Sequence, residues 1–329
     1  MEKTKATEQL SPVRIPARFS TRNNGANRYP RSMLKIFAAL IIFPTVLIAE
    51  TELVPIKGAE VEVYKKASGD DLRIYRFDPP GHDPKTDKRP AIVFFFGGGW
   101  NGGSVTQFEP HSRYLAQRGI VAFVADYRVK SRQQTGPDAC VADGKSAVRW
   151  VRENAERLGI DPDRIAAGGG SAGGHVAAAT GICDGLEEPG ESTEISSKPN
   201  ALALFNPVYD NGPDGWAHDR AKPWFPAISP AHNITKDDPP TIVFLGTKDK
   251  LIPVTTAESF QKKQKEVGIE SELYLYEDQP HGFFNLKKGS PENFTDTVLK
   301  LDAFLVGLDY LEGEADTATL NKIAAGEKP

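Results

Sequence analysis

Three side chains in this sequence have the types and the chain order needed for nucleophilic acyl transfer. Ser171 stands in Gly169-Gly170-Ser171-Ala172-Gly173, a G-x-S-x-G pattern that holds a serine on a tight strand-to-helix turn, with neighbours small enough to leave its hydroxyl exposed. A serine hydroxyl is a weak nucleophile at neutral pH. It needs a base to take its proton and a third group to orient that base. His281, 110 residues later in Gln279-Pro280-His281-Gly282-Phe283, is the candidate base. Asp249, in Gly246-Thr247-Lys248-Asp249, is the candidate orienter, and serine, acid, histidine is the order such turns require. Glu277 and Asp278 lie too near His281 along the chain, and Asp237 and Asp238 precede the strand that the acid should follow.

The same chemistry needs donors for a developing oxyanion. Glycines let the backbone approach closely, so the N–H groups of Gly98 and Gly99, with that of Ala172 at the start of the next helix, form the candidate hole. Trp100 offers its amide or its ring to the pocket. His175, one helical turn past Ser171, is read as packing beneath the turn.

These residues have to be carried by particular elements. Ala91–Phe96, Ile120–Ala125, Ala201–Phe205 and Thr241–Leu245 are apolar runs without alternation, the pattern of strands buried on both faces. Helical periodicity follows over Phe108–Arg118, Asp138–Arg157, Ala172–Gly181, the stretch ending at Val267, and Glu292–Val306. Ala59–Lys65 and Leu72–Phe77 alternate around Ser68-Gly69-Asp70 and read as an antiparallel hairpin. The expected fold is therefore α/β, with a mostly parallel central sheet, helices on both faces and an N-terminal hairpin. Chemistry then belongs at the carboxyl ends of strands, where Ser171, Asp249 and His281 all fall. Residues 207–240 are rich in proline and show no period, so they read as a loop over the site. Trp216 and Trp224 are candidate substrate contacts there, with His218 and His232 as weaker ones.

The chain has 329 residues, 39% of them hydrophobic, enough for a sizeable core. Residues 1–49 carry eight Lys/Arg against two Asp/Glu, and the remainder 32 against 42. An acidic body argues against nucleic acid or an anionic membrane as a partner. Ile36–Ala49 is an apolar run behind Arg31 and Lys35, which reads as a signal-peptide core too short for comfortable membrane insertion. It predicts export, periplasmic or secreted, with Met33 as the true start. The body then reads as a single domain over 50–312, with 313–329 as a flexible tail. Cys140 and Cys183 fall near opposite ends of parallel helices and are expected to stay unpaired.

Phe-Gly-Gly-Gly-Trp at 96–100, Asp-Tyr-Arg at 126–128, Gly-Gly-Ser-Ala-Gly-Gly-His at 169–175, Gly-Thr-Lys-Asp at 246–249 and His-Gly-Phe-Phe at 281–284 together resemble the α/β-hydrolase fold esterases. More narrowly they resemble the acetyl esterase/lipase group that includes feruloyl and acetyl-xylan esterases, related to the hormone-sensitive-lipase type. The likeness spans about residues 58–307. It implies serine carboxylester hydrolysis through an acyl-enzyme, without metal or cofactor, on short-chain esters or on acetylated or feruloylated polysaccharide. The sequence departs from that pattern at Phe96, where a histidine usually opens the oxyanion motif, and at Gly170, where the lipase-type relatives carry aspartate. The alternatives are an inactive hydrolase-fold binding protein, a serine peptidase of similar fold, and an NAD-dependent oxidoreductase. The last rests on Gly97-x-Gly99-x-x-Gly102 and Gly168-x-Gly170-x-x-Gly173, and it leaves Ser171, Asp249 and His281 unexplained.

Overall fold

In the computed structural model residues 54–327 are described. The apolar run Ile36–Ala49, the alternative start Met33 and the export expectation built on them lie outside the described residues. Two alternating strands, β1 (Glu60–Ala67) and β2 (Asp70–Phe77), pair antiparallel across a turn at Ser68 and Gly69, both at positive φ. β3 (Arg89–Phe95) leads through a 3-10 turn, Val105–Phe108, into α1 (Glu109–Gln117) and β4 (Val121–Ala125). Beyond a short α2 (Lys130–Gln133), α3 (Pro137–Glu153) and α4 (Ala155–Leu158) precede β5 (Ile160–Gly170), which runs into α5 (Ala172–Ile182). Next come β6 (Ala201–Phe205), a one-turn α6 (His218–Ala221), β7 (Thr241–Gly246), α7 (Val254–Glu266), β8 (Ser271–Tyr276) and α8 (Pro291–Gly307).

The sheet order is β1-β2-β4-β3-β5-β6-β7-β8. β1, β2 and β4 pair antiparallel and every pairing from β4 through β8 is parallel, with helices packed around the sheet. The apolar runs Ile92–Phe95, Val121–Ala125 and Ala201–Phe205 are buried throughout, as strands covered on both faces must be. From β3 the chain steps first to β4 on one side and then returns to β5 on the other. The crevice beyond the carboxyl ends of β3 and β5 is therefore a topological switch point, the place where open α/β sheets bind ligands.

The Asp126-Tyr127-Arg128 segment after β4 holds this region together. Arg128 and Lys65 both pair with the buried Asp143 carboxylate of α3, at 2.8 and 2.7 Å, and Glu188 of the following loop closes on both cations. Asp126 pairs instead with Arg132.

Two expectations need correction. The tail is not free: α9 (Thr317–Ala324) is capped by Asp316, whose carboxylate accepts from the Thr319 N–H at 3.0 Å, and it buries Leu320 and Ile323 against α1 and α8. The helix expected over Asp138–Arg157 breaks at Asn154, which lies outside the helical backbone region and separates α3 from α4. Cys140 and Cys183 are free and buried. Among the described residues no helix is long and apolar enough to cross a membrane.

Candidate active site

Ser171 sits between β5 and α5 with φ 55° and ψ −119°, a backbone conformation that costs an L-residue about 1–3 kcal/mol. The surrounding structure forces it. The Ser171 N–H donates to the Phe205 carbonyl, while the Ser171 carbonyl accepts from His175 and Val208. Gly173 admits no side chain, since a Cβ there would lie 2.1 Å from the Phe95 carbonyl oxygen and 2.4 Å from that of Phe96.

The turn following β8 brings His281 Nε2 to 2.9 Å from Ser171 Oγ. The turn following β7 brings Asp249 Oδ2 to 2.6 Å from His281 Nδ1. Asp249 Oδ1 accepts from the N–H groups of Leu251 and Ile252 at 2.8 and 3.0 Å, so both carboxylate oxygens are held and the side chain is sealed from solvent. Three strand ends thus bring a serine, a histidine and an aspartate into one hydrogen-bonded row.

Ser171, His281, Gly98 and Gly99 share the lining of one cavity of about 630 Å³. Ala172 opens α5, so its N–H is one of the donors that a helix start leaves without an intrahelical partner. The Gly97–Gly103 run does not open a helix, because the 3-10 turn starts only after Ser104. Among the described residues no group of three or more His, Cys, Asp or Glu converges as a metal site.

The aromatic candidates separate. Trp216 lines the cavity and stands beside Gly99, where a Cβ would meet its ring at 3.6 Å. Trp100 lies behind it, only 2% exposed, with its ring 5.2 Å from that of Trp216 and 4.9 Å from His175. Trp224 does not line the cavity: it packs against the buried cluster of Val141, Ala179, Cys183, Ala221 and Ile228, with its ring over Gly136. His175 Nε2 donates to the Ile228 carbonyl at 2.8 Å, and burial lowers its pKa to about 4, so it is a neutral packing group. His218 and His232 bond within their own loop, to Asn211 and Ser229.

Several further residues complete the site. Asn206, directly after β6, accepts from the Gly282 N–H at 2.8 Å and places its Nδ2 at 3.5 Å from His281 Nε2. Arg220 donates to the Gly99 carbonyl at 2.7 Å and stacks over both Trp100 and Trp216. Phe96 is fully buried with its ring stacked 4.2 Å from Tyr127. The Tyr127 hydroxyl donates to the Phe96 carbonyl at 2.5 Å, and burial pushes that phenol well above its ordinary range, which keeps the donated proton in place.

Two family profiles match the chain, BD-FAE over residues 81–206 and the dienelactone hydrolase family over residues 214–305. Among curated proteins, Esterase LipQ of Mycobacterium tuberculosis is 29% identical over 219 residues, covering 60% of this chain and 51% of LipQ, so the chain spans about half the length of that relative. Among solved structures, Thermogutta terrifontis esterase 2 phosphoramylated by tabun is 45% identical with a TM-score of 0.77, covering 79% of this chain and 98% of that one. The same esterase with propionate bound matches at 45% identity and a TM-score of 0.75, over 78% and 97% of the two chains. A likeness at this identity over nearly the whole of a solved esterase extends well beyond a shared fold, and the chain belongs to the α/β-hydrolase esterases, serine hydrolases of carboxylic esters.

Proposed function

We propose that the chain hydrolyses short-chain acyl esters through an acyl-enzyme on Ser171. The observation that carries this reading is the aligned row of Asp249, His281 and Ser171, at 2.6 and 2.9 Å, opening into a cavity lined by Gly98 and Gly99. His281 Nε2 takes the Oγ proton as Oγ attacks the ester carbonyl, while Asp249 holds the Nδ1 proton and stabilises the imidazolium. The carbonyl oxygen gains charge against the N–H groups of Gly98, Gly99 and Ala172, and each such donor is worth about 10²–10³ in kcat. His281 then returns the proton to the departing alcohol. Water repeats the sequence to release the acid.

Trp216, standing against Gly99 in the cavity wall, supports a limit on acyl length. That esterase 2 has been obtained with propionate and with butyrate bound supports the same size class. The resemblance of the motifs at 96–100 and 169–175 to those of feruloyl and acetyl-xylan esterases supports polysaccharide-linked acetyl or feruloyl esters as natural substrates, and the basic then apolar leader supports export.

A fluorophosphonate probe is expected to label Ser171, and Ser171→Ala to abolish p-nitrophenyl acetate hydrolysis. Failure of folded wild-type protein to react would sink the reading. Rates along a p-nitrophenyl ester series, set beside acetylated xylan and a feruloyl ester, test the substrate class: a steep fall beyond butyrate supports short acyl groups, and equal rates for long chains refute them.

A further inference from the structure

We infer that Gln107 and Asn285 are positioning residues that lock the oxyanion loop and the His281 turn into one unit. The inference rests on the assignment of Ser171 and His281 proposed above. Its starting point is the peptide unit joining Phe96 to Gly97, immediately before the candidate donors Gly98 and Gly99. Its carbonyl accepts from the Tyr127 hydroxyl at 2.5 Å, and its N–H donates to Gln107 Oε1 at 2.6 Å. A peptide plane held at both its oxygen and its nitrogen by side chains from two different elements has no freedom to rotate. The glycine loop that carries Gly98 and Gly99 therefore leaves the sheet from a fixed plane.

The other end of Gln107 reaches across the cavity. Its Nε2 donates to Asn285 Oδ1 at 2.8 Å, Asn285 Nδ2 donates to the Gly282 carbonyl at 2.8 Å, and the Gly282 N–H donates to Asn206 Oδ1 at 2.8 Å. Asn206 follows Phe205, whose carbonyl accepts the Ser171 N–H. The series returns to the nucleophile by a second route, because Gly97 packs on the elbow so closely that a Cβ there would lie 2.7 Å from the Gly170 carbonyl oxygen. Oxyanion loop, Gln107, Asn285, histidine turn, Asn206 and elbow therefore form a closed ring of contacts. Each amide uses both its donor and its acceptor, so neither Gln107 nor Asn285 can turn over without breaking a bond on each side. This ring supplies the brace that Phe96 cannot give.

The test separates positioning from both substrate contact and folding. Gln107→Ala and Asn285→Ala are expected to lower kcat for p-nitrophenyl acetate by about 10–100-fold, the scale of an ångström-level misplacement at a reacting centre, with KM within threefold. The rate constant for covalent labelling by a fluorophosphonate should fall in the same proportion, since that reaction uses the same donors. The double variant should be no slower than the slower single one, because each breaks the same ring. Gln107→Glu, which keeps an oxygen for the Gly97 N–H but cannot donate to Asn285, should lie between wild type and Gln107→Ala, and it stands in should Gln107→Ala not fold. A change confined to KM would make Gln107 a substrate contact and overturn the inference. A lowered melting temperature with kcat within twofold of wild type, or multiplicative effects in the double variant, would overturn it as well. Wild-type protein that neither reacts with the probe nor turns over refutes the assignment of Ser171 instead, so the two failures are told apart.

Discussion

His111 gives this fold a pH liability that can be removed by one substitution. It lies on α1, 1% exposed, among the rings of Phe94, Phe108, Phe205, Phe284 and Phe294, and neither ring nitrogen has a hydrogen-bond partner. Burial lowers its pKa from 6.5 to about 3. The folded state therefore keeps the ring neutral while the unfolded chain takes up a proton below pH 6.5, so stability is intact above 6.5 and falls as pH drops toward 3. The slope is about 1.4 kcal/mol per pH unit, or about 2 kcal/mol between pH 7 and 5. His175, lowered to about 4 by the same cause, adds a similar loss over that interval. Together the two buried histidines account for about 4 kcal/mol of loss over that interval. His111→Leu should leave stability at pH 7 unchanged or higher, because an unpaired buried polar group costs about 1–3 kcal/mol. It should also remove about half of the loss between pH 7 and 5. Urea melts of both proteins at the two pH values measure this. A variant whose stability falls between pH 7 and 5 by as much as the wild type would refute the reasoning.

Asp143→Asn should cost about 3–5 kcal/mol in a urea melt, because it strips the shared carboxylate from the buried Lys65 and Arg128; a loss under 1 kcal/mol would show that Glu188 alone satisfies both cations. Trp216→Ala, which opens the cavity wall beside Gly99, should raise kcat/KM for p-nitrophenyl octanoate relative to the acetate by at least tenfold. An unchanged ratio would place the acyl group elsewhere. Phe96→His should lower stability by about 1–3 kcal/mol through an unpaired imidazole in a sealed position without raising kcat. A faster and equally stable variant would mean that the loop lacks a brace.

The three candidate reacting groups were legible because each obeys a rule that operates along the chain. A buried parallel strand shows as an unbroken apolar run, and the residue just past its carboxyl end is placed in the crevice whatever its distance in sequence. That rule put Asp249 after β7, and it also applies to Asn206 after β6, where an asparagine abutting a buried run was the available signal; Ser171 was placed by its glycine pattern and His281 by the serine, acid, histidine order, since β8 is a half-exposed edge strand. Gln107, Asn285 and Arg220 obey no such rule. Amide and guanidinium groups act there through bonds to backbone peptides of other elements, and no spacing encodes those partners. The loop aromatics were ambiguous for a related reason: proline-rich backbone has no period, so nothing in the sequence told Trp216, which faces the cavity, from Trp224, which faces α3. In the tail, small and charged residues outnumber apolar ones and hid the pair Leu320 and Ile323, which lie one turn apart on a helix that Asp316 caps.

Phe96 shows why motif departures and structural departures are different quantities. Read along the chain, the residue that opens the oxyanion loop has lost its polar side chain and the loop has lost a support. In the fold, what the site needs at that position is a fixed peptide plane, and a plane is fixed equally well by partners of its oxygen and nitrogen as by the side chain that precedes them. Tyr127 reaches it from just past β4 and Gln107 from the turn before α1, while the Phe96 ring stacks on Tyr127, whose bond to the carbonyl is buried. In such a buried setting hydrogen bonds are stronger and their loss is more costly. The phenylalanine therefore shifts the burden of holding the loop onto Tyr127 and onto Gln107, which no motif names, and activity at this site should be more sensitive to Gln107 than to residue 96 itself.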